Sequence, residues 1–96
     1  MFTWDLSQAK ANVEKHGVPF EEAATAFCDA NGLDWDELSE ESRERRFKRL
    51  GLTANKWLVL VLYTIRRTEH DQETVRIISA RHASEREGRA YLRFAP

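Results

Sequence analysis

Apolar positions recur first at helical spacing and later at strand spacing, which divides the chain into two structural halves. Leu6, Ala9, Val13 and His16 follow one another at the three- to four-residue interval of a helix face. Asp5 with Gln8 three positions later forms a capping-box pattern, and Gly17 stands where a left-handed C-terminal cap would fall. Pro19 suits the opening of a second helix, and Glu21 and Glu22 suit its positive dipole end. Phe20, Ala23, Ala24, Phe27 and Cys28 form its apolar stripe, which predicts a buried Cys28. Phe2-Thr3-Trp4, ahead of both helices, reads as a short extended segment.

Strand signals follow. Residues 29–42 read as loop with a brief strand near Trp35. Residues 43–50, RERRFKRL, fit a helix or an edge strand, and the hairpin-like connection Gly51 to Lys56 favours the strand. From Trp57 to about Arg67 the chain is apolar on both faces, which predicts a central strand covered on both sides. A polar turn, residues 68–73, returns the chain into an antiparallel strand at Val75 to Arg81. Ser84-Glu85-Arg86-Glu87 is a full capping box and opens a last helix. The expected fold is α+β, one domain over residues 1–96: two N-terminal helices, an antiparallel sheet meander and a C-terminal helix.

Composition changes the picture mainly through charge. Ninety-six residues allow one modest core, and 42% hydrophobic with 32% charged residues excludes a disordered chain. The net charge of −1 hides a division. Residues 1–41 carry two bases and ten acids, 2 − 10 = −8; residues 42–96 carry thirteen bases and six acids, 13 − 6 = +7. Such asymmetry points to a polyanion-binding face or to a partner that meets one end. The longest apolar run, residues 57–63, is far short of the roughly 20 residues of a membrane span. No signal-peptide pattern opens the chain, and Cys28 is alone, so a reducing cytoplasm is the expected compartment. One cysteine, three separated histidines and four glycines offer neither metal-ligand spacing nor a phosphate loop, so no cofactor is expected.

The arginines carry the remaining signal. Across the turn at 68–73, Arg76 would sit almost opposite Arg66, and Arg81 would lie beside residues 58–60. Strict alternation puts Val75, Ile77, Ser79 and Arg81 on one face and Arg76, Ile78 and Ala80 on the other. A charge on a buried strand is costly unless it is paired or binds an anion, and the planar fork of arginine suits phosphate. Singly, each arginine reads as a solvated strand end or a salt bridge to the acidic half. With the run Arg43, Arg45, Arg46, Lys48 and Arg49, a polyanion-facing sheet is the favoured reading. If 43–50 is a strand, Phe47 and Arg49 share a face with Arg43 and Arg45, and Lys48 and Leu50 share the other with Glu44 and Arg46. His16 reads first as a helix-end cation or cap, and Tyr63 and Tyr91 read first as core residues with a hydroxyl at the edge.

Several segments together resemble a known family. Phe2-Thr3-Trp4-Asp5, Asn12, Lys15-His16-Gly17 and Phe20-Glu21-Glu22-Ala23 with Phe27 and Asp29 open the likeness. Glu44-Arg45 before Gly51, the Leu-Val-Leu-Val-Leu-Tyr strand, and Arg76-Ile77-Ile78-Ser79-Ala80-Arg81 with Ala83, Glu85 and Tyr91 continue it. In that order they resemble the BrnT family of bacterial toxins over nearly the whole chain. The resemblance implies a RelE-like fold and a metal-independent endoribonuclease that halts translation. It also implies a BrnA-type antitoxin, with which the chain would form a hetero-oligomer. Carried over residue by residue, it makes Arg66 and Arg81 the expected catalytic arginines and Glu44 the acidic member. Arg45, Lys48, Arg76, His82 and Lys15 are expected to contact RNA. Metal-free cleavage needs a base, a stabilised phosphorane and an acid; Glu44 suits the first role, the arginines the second, and His82 or His16 the third. The competing reading is a non-catalytic RNA-, DNA- or partner-binding module on the same basic sheet, whose binding would fall steeply with salt.

Overall fold

The structure is a computed structural model and describes residues 1–38 and 44–94. Arg43, part of the basic run, lies outside the described residues. Strand β1 (Phe2–Thr3) leads into helix α1 (Leu6–His16), then α2 (Phe20–Thr25) and a single 3-10 turn (Ala26–Cys28). Strands β2 (Leu33–Glu37), β3 (Arg46–Leu52), β4 (Leu58–Arg67) and β5 (Glu73–His82) follow, and helix α3 (Glu85–Phe94) ends the chain. The five strands form one sheet in the order β1-β5-β4-β3-β2. Every pair is antiparallel except β1 with β5, which is parallel. The expected α+β fold is therefore present, and residues 46–52 are a strand.

The local signals act as read. Asp5 accepts the Gln8 N–H at 3.0 Å to start α1, and Gly17 closes it at φ 71°, a backbone region that costs glycine no Cβ clash. At α3 the capping box is reciprocal: the Glu87 N–H donates to Ser84 Oγ at 3.1 Å, and the Ser84 N–H donates to Glu87 Oε1 at 2.8 Å. No described helix is long and apolar enough to cross a membrane.

Two layers of apolar packing clamp the sheet. On one face Val18, Phe20, Ala23 and Ala26 pack against Val59, Val61, Ile77 and Ala80. On the other, Tyr91 of α3 packs against Leu50 and Leu60, with Leu33, Leu52 and Leu58 around them. Helix α3 covers only this end of its face. The rest of that face, toward the β4–β5 turn, carries the polar and basic side chains described below.

Three expectations need correction. Leu6 and Val13 are exposed, and the residue that α1 buries is Asn12. Its amide reaches the outer edge of β5: Nδ2 donates to Ala80 O at 2.8 Å and to Val18 O at 2.9 Å, while Oδ1 accepts the Ala80 N–H at 3.0 Å. Strand β1 pairs only with Val75 and Arg76, so Asn12 completes the sheet edge where that strand has ended. Cys28 is exposed, because the helix tightens into the 3-10 turn at Ala26 and the apolar stripe loses its register.

The third correction concerns β5. Leu62 pairs with Ser79 but Tyr63 pairs with Ile77, which leaves Ile78 as an extra residue in a β-bulge. The bulge resets the alternation, so strict parity fails at Ile78. Val75, Ile77 and Ala80 face the helices with Ile65, Tyr63 and Val61. Arg76, Ser79 and Arg81 lie on the opposite face, across from Thr64, Leu62 and Leu60. A regular strand would have split Arg76 from Arg81; the bulge unites them.

Candidate nucleic-acid interface

The open face of the sheet is a lattice of side chains in register. Arg81 lies across from Leu60 and Leu60 from Leu50; Ser79 lies across from Leu62 and Leu62 from Lys48. Arg76 lies across from Thr64, and Thr74 across from Arg66. By alternation from Lys48, Arg46 joins the same face. Five bases, Lys48, Arg46, Arg66, Arg76 and Arg81, therefore share one side of one sheet.

The end of this face nearest α3 contains a cleft of about 260 Å³. Leu60 and Leu62 form its floor, and Lys48, Ser79, Arg81 and His16 line it. His16 reaches the cleft because α1 lies along the β5 edge and ends there, with Gly17 turning the chain away. A second groove, lined by Gln8, Asn12, Lys15 and the bulged Ile78, meets it at His16 and Ser79. Lys15 is thus beside the cleft, on the helix that forms its wall.

Arg81 is held by Glu87. The carboxylate accepts from Nη1 at 2.8 Å and Nη2 at 2.9 Å, a bidentate pair, and Nη1 also donates to His82 O at 3.2 Å. The guanidinium has five N–H donors, and the described residues take three of them, which leaves two to face a ligand. Arg81 foremost, with the Ser84 backbone N–H assisting against the opposing effect of burial, holds the Glu87 carboxyl down at about 2. Glu87 therefore does two jobs: it closes the α3 capping box and fixes the arginine that faces the cleft.

At the far end of the face, Arg66 pairs with Glu44 through Nε to Oε2 at 3.0 Å and Nη2 to Oε1 at 3.2 Å. The Arg66 bond is the main reason the Glu44 carboxyl lies below its usual range, and the charges of Arg46 and Arg76 add to it. Arg46 Nε is buried with no hydrogen-bond partner among the described residues. Glu44, Arg46, Arg66 and Arg76 are thus one electrostatic cluster. Arg66 and Arg81 are not brought together: they are six register positions apart along β4, roughly 20 Å of strand.

Other expected contacts face elsewhere. Arg45 pairs with Asp36 at 2.9 Å and lies over the Phe47 ring, at the β2 end of the helix-facing side. His82 lies across from Val59 on that same side, against the Trp57 ring. Arg49 is committed to the fold: it donates to Ala26 O at 2.9 Å and Asp29 O at 2.6 Å, and pairs with Asp34. Tyr63 donates to Asp34 at 2.7 Å, and burial first, with that bond, raises its pKa. Tyr91 donates to Asp29 Oδ2 at 2.7 Å, so both tyrosines are core residues with satisfied hydroxyls. Burial acts to raise the Asp29 pKa, but the Leu52 and Asn31 N–H groups, Tyr91 and Arg49 together hold it lowered.

Glu87 and Ser79 join the site with no mark in the sequence beyond the capping box, which places Glu87 in the first turn of α3. One carboxylate serves a cap and an arginine together, which the spacing alone does not signal. Among the described residues no three His, Cys, Asp or Glu side chains gather as a metal cluster.

Comparisons with known proteins agree with this architecture. The crystal structure of the Brucella abortus ribonuclease toxin BrnT, at 1.1 Å resolution, superposes with a TM-score of 0.60 at 19% identity, covering 88% of this chain and 99% of that one. No curated protein matches the chain. Residues 4–87 match the family described as ribonuclease toxin, BrnT, of type II toxin-antitoxin system. That match spans most of the sequence, and the chain belongs to the BrnT family of ribonuclease toxins.

Proposed function

We propose that the protein is a metal-independent endoribonuclease that binds single-stranded RNA along the open face of its sheet and cleaves it in the cleft between Lys48, His16 and Arg81. One observation carries this reading: the β5 bulge places Arg76, Ser79 and Arg81 on the same face as Lys48 and Arg66. The cleft at one end supplies two cations and an imidazole around an apolar floor.

In this reading Lys48 and the two remaining donors of Arg81 grip the scissile phosphate. Their charge is worth most as negative charge builds on the phosphorane. The 2′-oxygen passes its proton to solvent water and attacks phosphorus, the P–O5′ bond breaks, and the products are a 2′,3′-cyclic phosphate and a 5′-hydroxyl, with His16 regaining from solvent the proton it gives up. His16 delivers the proton to the leaving 5′-oxygen, since imidazole can both give and take a proton. Arg66 and Arg76 hold phosphates further along the strand. Glu44 orients Arg66 there and stays ionised, because the Arg66 bond keeps its pKa low. The distance along β4 supports dividing the arginines between different phosphates.

The partner in this reading is a BrnA-type antitoxin that forms a hetero-oligomer with the toxin, and the compartment is the cytoplasm, where translated RNA is found. The test is purified protein with end-labelled RNA in EDTA. Cleavage leaving cyclic phosphate ends supports the reading. Binding without cleavage, with affinity falling steeply in salt, supports the non-catalytic module instead.

A further inference from the structure

On the other side of the cleft, between β2 and α3, lies a more apolar groove of about 440 Å³. Leu33, Trp35 and Leu50 line its sheet side, and Arg86, Ala90 and Phe94 its helix side. Trp35 is 41% exposed and Phe94 64% exposed, so the groove presents two aromatic rings to solvent. We propose that this groove receives one unpaired nucleobase of the bound RNA, stacked on Trp35, while the neighbouring phosphate sits on Lys48. The proposal rests on the RNA-cleavage reading above and names the base site that would accompany it.

Three observations support a base here. First, residues of the groove adjoin residues of the phosphate cleft. Trp35 lies directly across from Lys48 in the β2–β3 register, which puts their Cβ atoms about 5 Å apart. Two long side chains on one face at paired positions can reach a base and its own phosphate together. Glu87 lines the groove while gripping Arg81 of the cleft, so the two sites share a wall.

Second, the surroundings fit a polyanion. Arg86, Arg89 and Arg93 run along the outer side of α3 and line an adjoining groove with Ala90 and Phe94. Arg86 on the helix side and Lys48 beside Trp35 put positive charge on both sides of the groove, next to the Glu87 that Arg81 neutralises, which favours RNA over an apolar peptide. Third, the lining has the right chemistry. Sequence-tolerant single-strand binders pair a basic track with aromatic rings, and guanidinium planes stack on bases as well. A groove of this size lies within the range of small-molecule sites.

The chief alternative is that the same groove holds a segment of the antitoxin, and the experiment separates the two. The probe is a short 2′-O-methyl RNA oligonucleotide, which cannot be cleaved. It is titrated against wild type, Trp35→Ala, Trp35→Phe and Lys48→Ala, with circular dichroism to show that each is folded. Loss of one stacked base weakens binding about fivefold to a hundredfold, so Trp35→Ala loses affinity in that range and Trp35→Phe keeps most of it. An abasic residue at the stacked position produces the same loss in wild type and no further loss in Trp35→Ala. Equal affinity of wild type and folded Trp35→Ala overturns the base site, and so does a Trp35→Ala protein that binds RNA normally but no longer co-purifies with its co-expressed antitoxin. If Lys48→Ala also binds normally, the cleavage-site reading fails with it; if Lys48→Ala alone weakens binding, only the base site falls.

Discussion

Arg81 and Glu87 face each other as a bidentate ion pair at 2.8 and 2.9 Å, and the same carboxylate oxygen that takes Arg81 Nη1 also takes the Ser84 N–H. The start of α3 and the orientation of the cleft arginine are therefore set by one side chain. This coupling gives Glu87 a measurable signature in stability.

The Glu87 carboxyl titrates at about 2 in the folded protein, against an ordinary glutamate value of 4.5. A depressed carboxylate contributes stability that is full above about pH 4.5 and is lost as pH falls through about 2. Arg81 is 40% exposed, so solvent screens the pair and the contribution is on the order of 1–2 kcal/mol. Glu87→Gln keeps the capping-box acceptor and loses the charge. Urea midpoints between pH 2 and pH 6 should rise with pH in wild type and flatten in Glu87→Gln; parallel curves count against the coupling.

Asn12 closes an edge that no strand covers. Asn12→Ala leaves the Ala80 N–H and C=O without their side-chain partner, at a cost of about 2–4 kcal/mol. Asn12→Asp keeps an acceptor for the Ala80 N–H but turns a carboxylate toward Ala80 O and Val18 O, so it should not rescue stability. Denaturant unfolding checks both, and a wild-type midpoint for Asn12→Ala would remove Asn12 from the account of the sheet edge.

The two ends of the basic face should behave differently in kinetics. His16→Ala should lower the cleavage rate by about 10²-fold or more, as expected for loss of a proton-transfer group, with little change in RNA affinity. Arg66→Ala should instead weaken RNA binding and reduce the slope of log K against log salt by about one, with the cleavage step preserved at saturating RNA. Single-turnover kinetics over a range of RNA concentrations separates the two effects.

Arg45 is a charge-matched control. It lies with Asp36 and Phe47 on the helix-facing side, away from the cleft. Arg45→Ala should cleave and bind RNA within about twofold of wild type, since an exposed ion pair contributes little. A large loss would move the RNA track around the β2 edge.

Much of the fold was legible because its signals are local. Asp5, Gly17 and Ser84 mark helix ends through side-chain and backbone chemistry that needs no tertiary partner. The Leu58–Arg67 strand shows its central place through apolar residues on both faces. The position of Arg81 beside Leu60 followed from the antiparallel return alone. What was not legible depends on one inserted residue. Nothing in Arg-Ile-Ile-Ser-Ala-Arg marks Ile78 as a bulge, yet the bulge decides that Arg76 and Arg81 share a face. Asn12 was equally hidden, because its partner is a backbone 68 residues away. His16 looked like a helix cap in sequence and becomes a cleft residue only because α1 ends at the β5 edge.

The central claim is that the cleft around Arg81 cleaves RNA, and the most direct measurement is cleavage of labelled RNA in EDTA by folded Arg81→Ala beside wild type and Arg45→Ala. The account predicts that wild type and Arg45→Ala generate 2′,3′-cyclic phosphate ends while Arg81→Ala is slowed by about 10²-fold or more, the scale for losing a positioned phosphorane donor. Arg81→Ala that is folded and cleaves at the wild-type rate would contradict it.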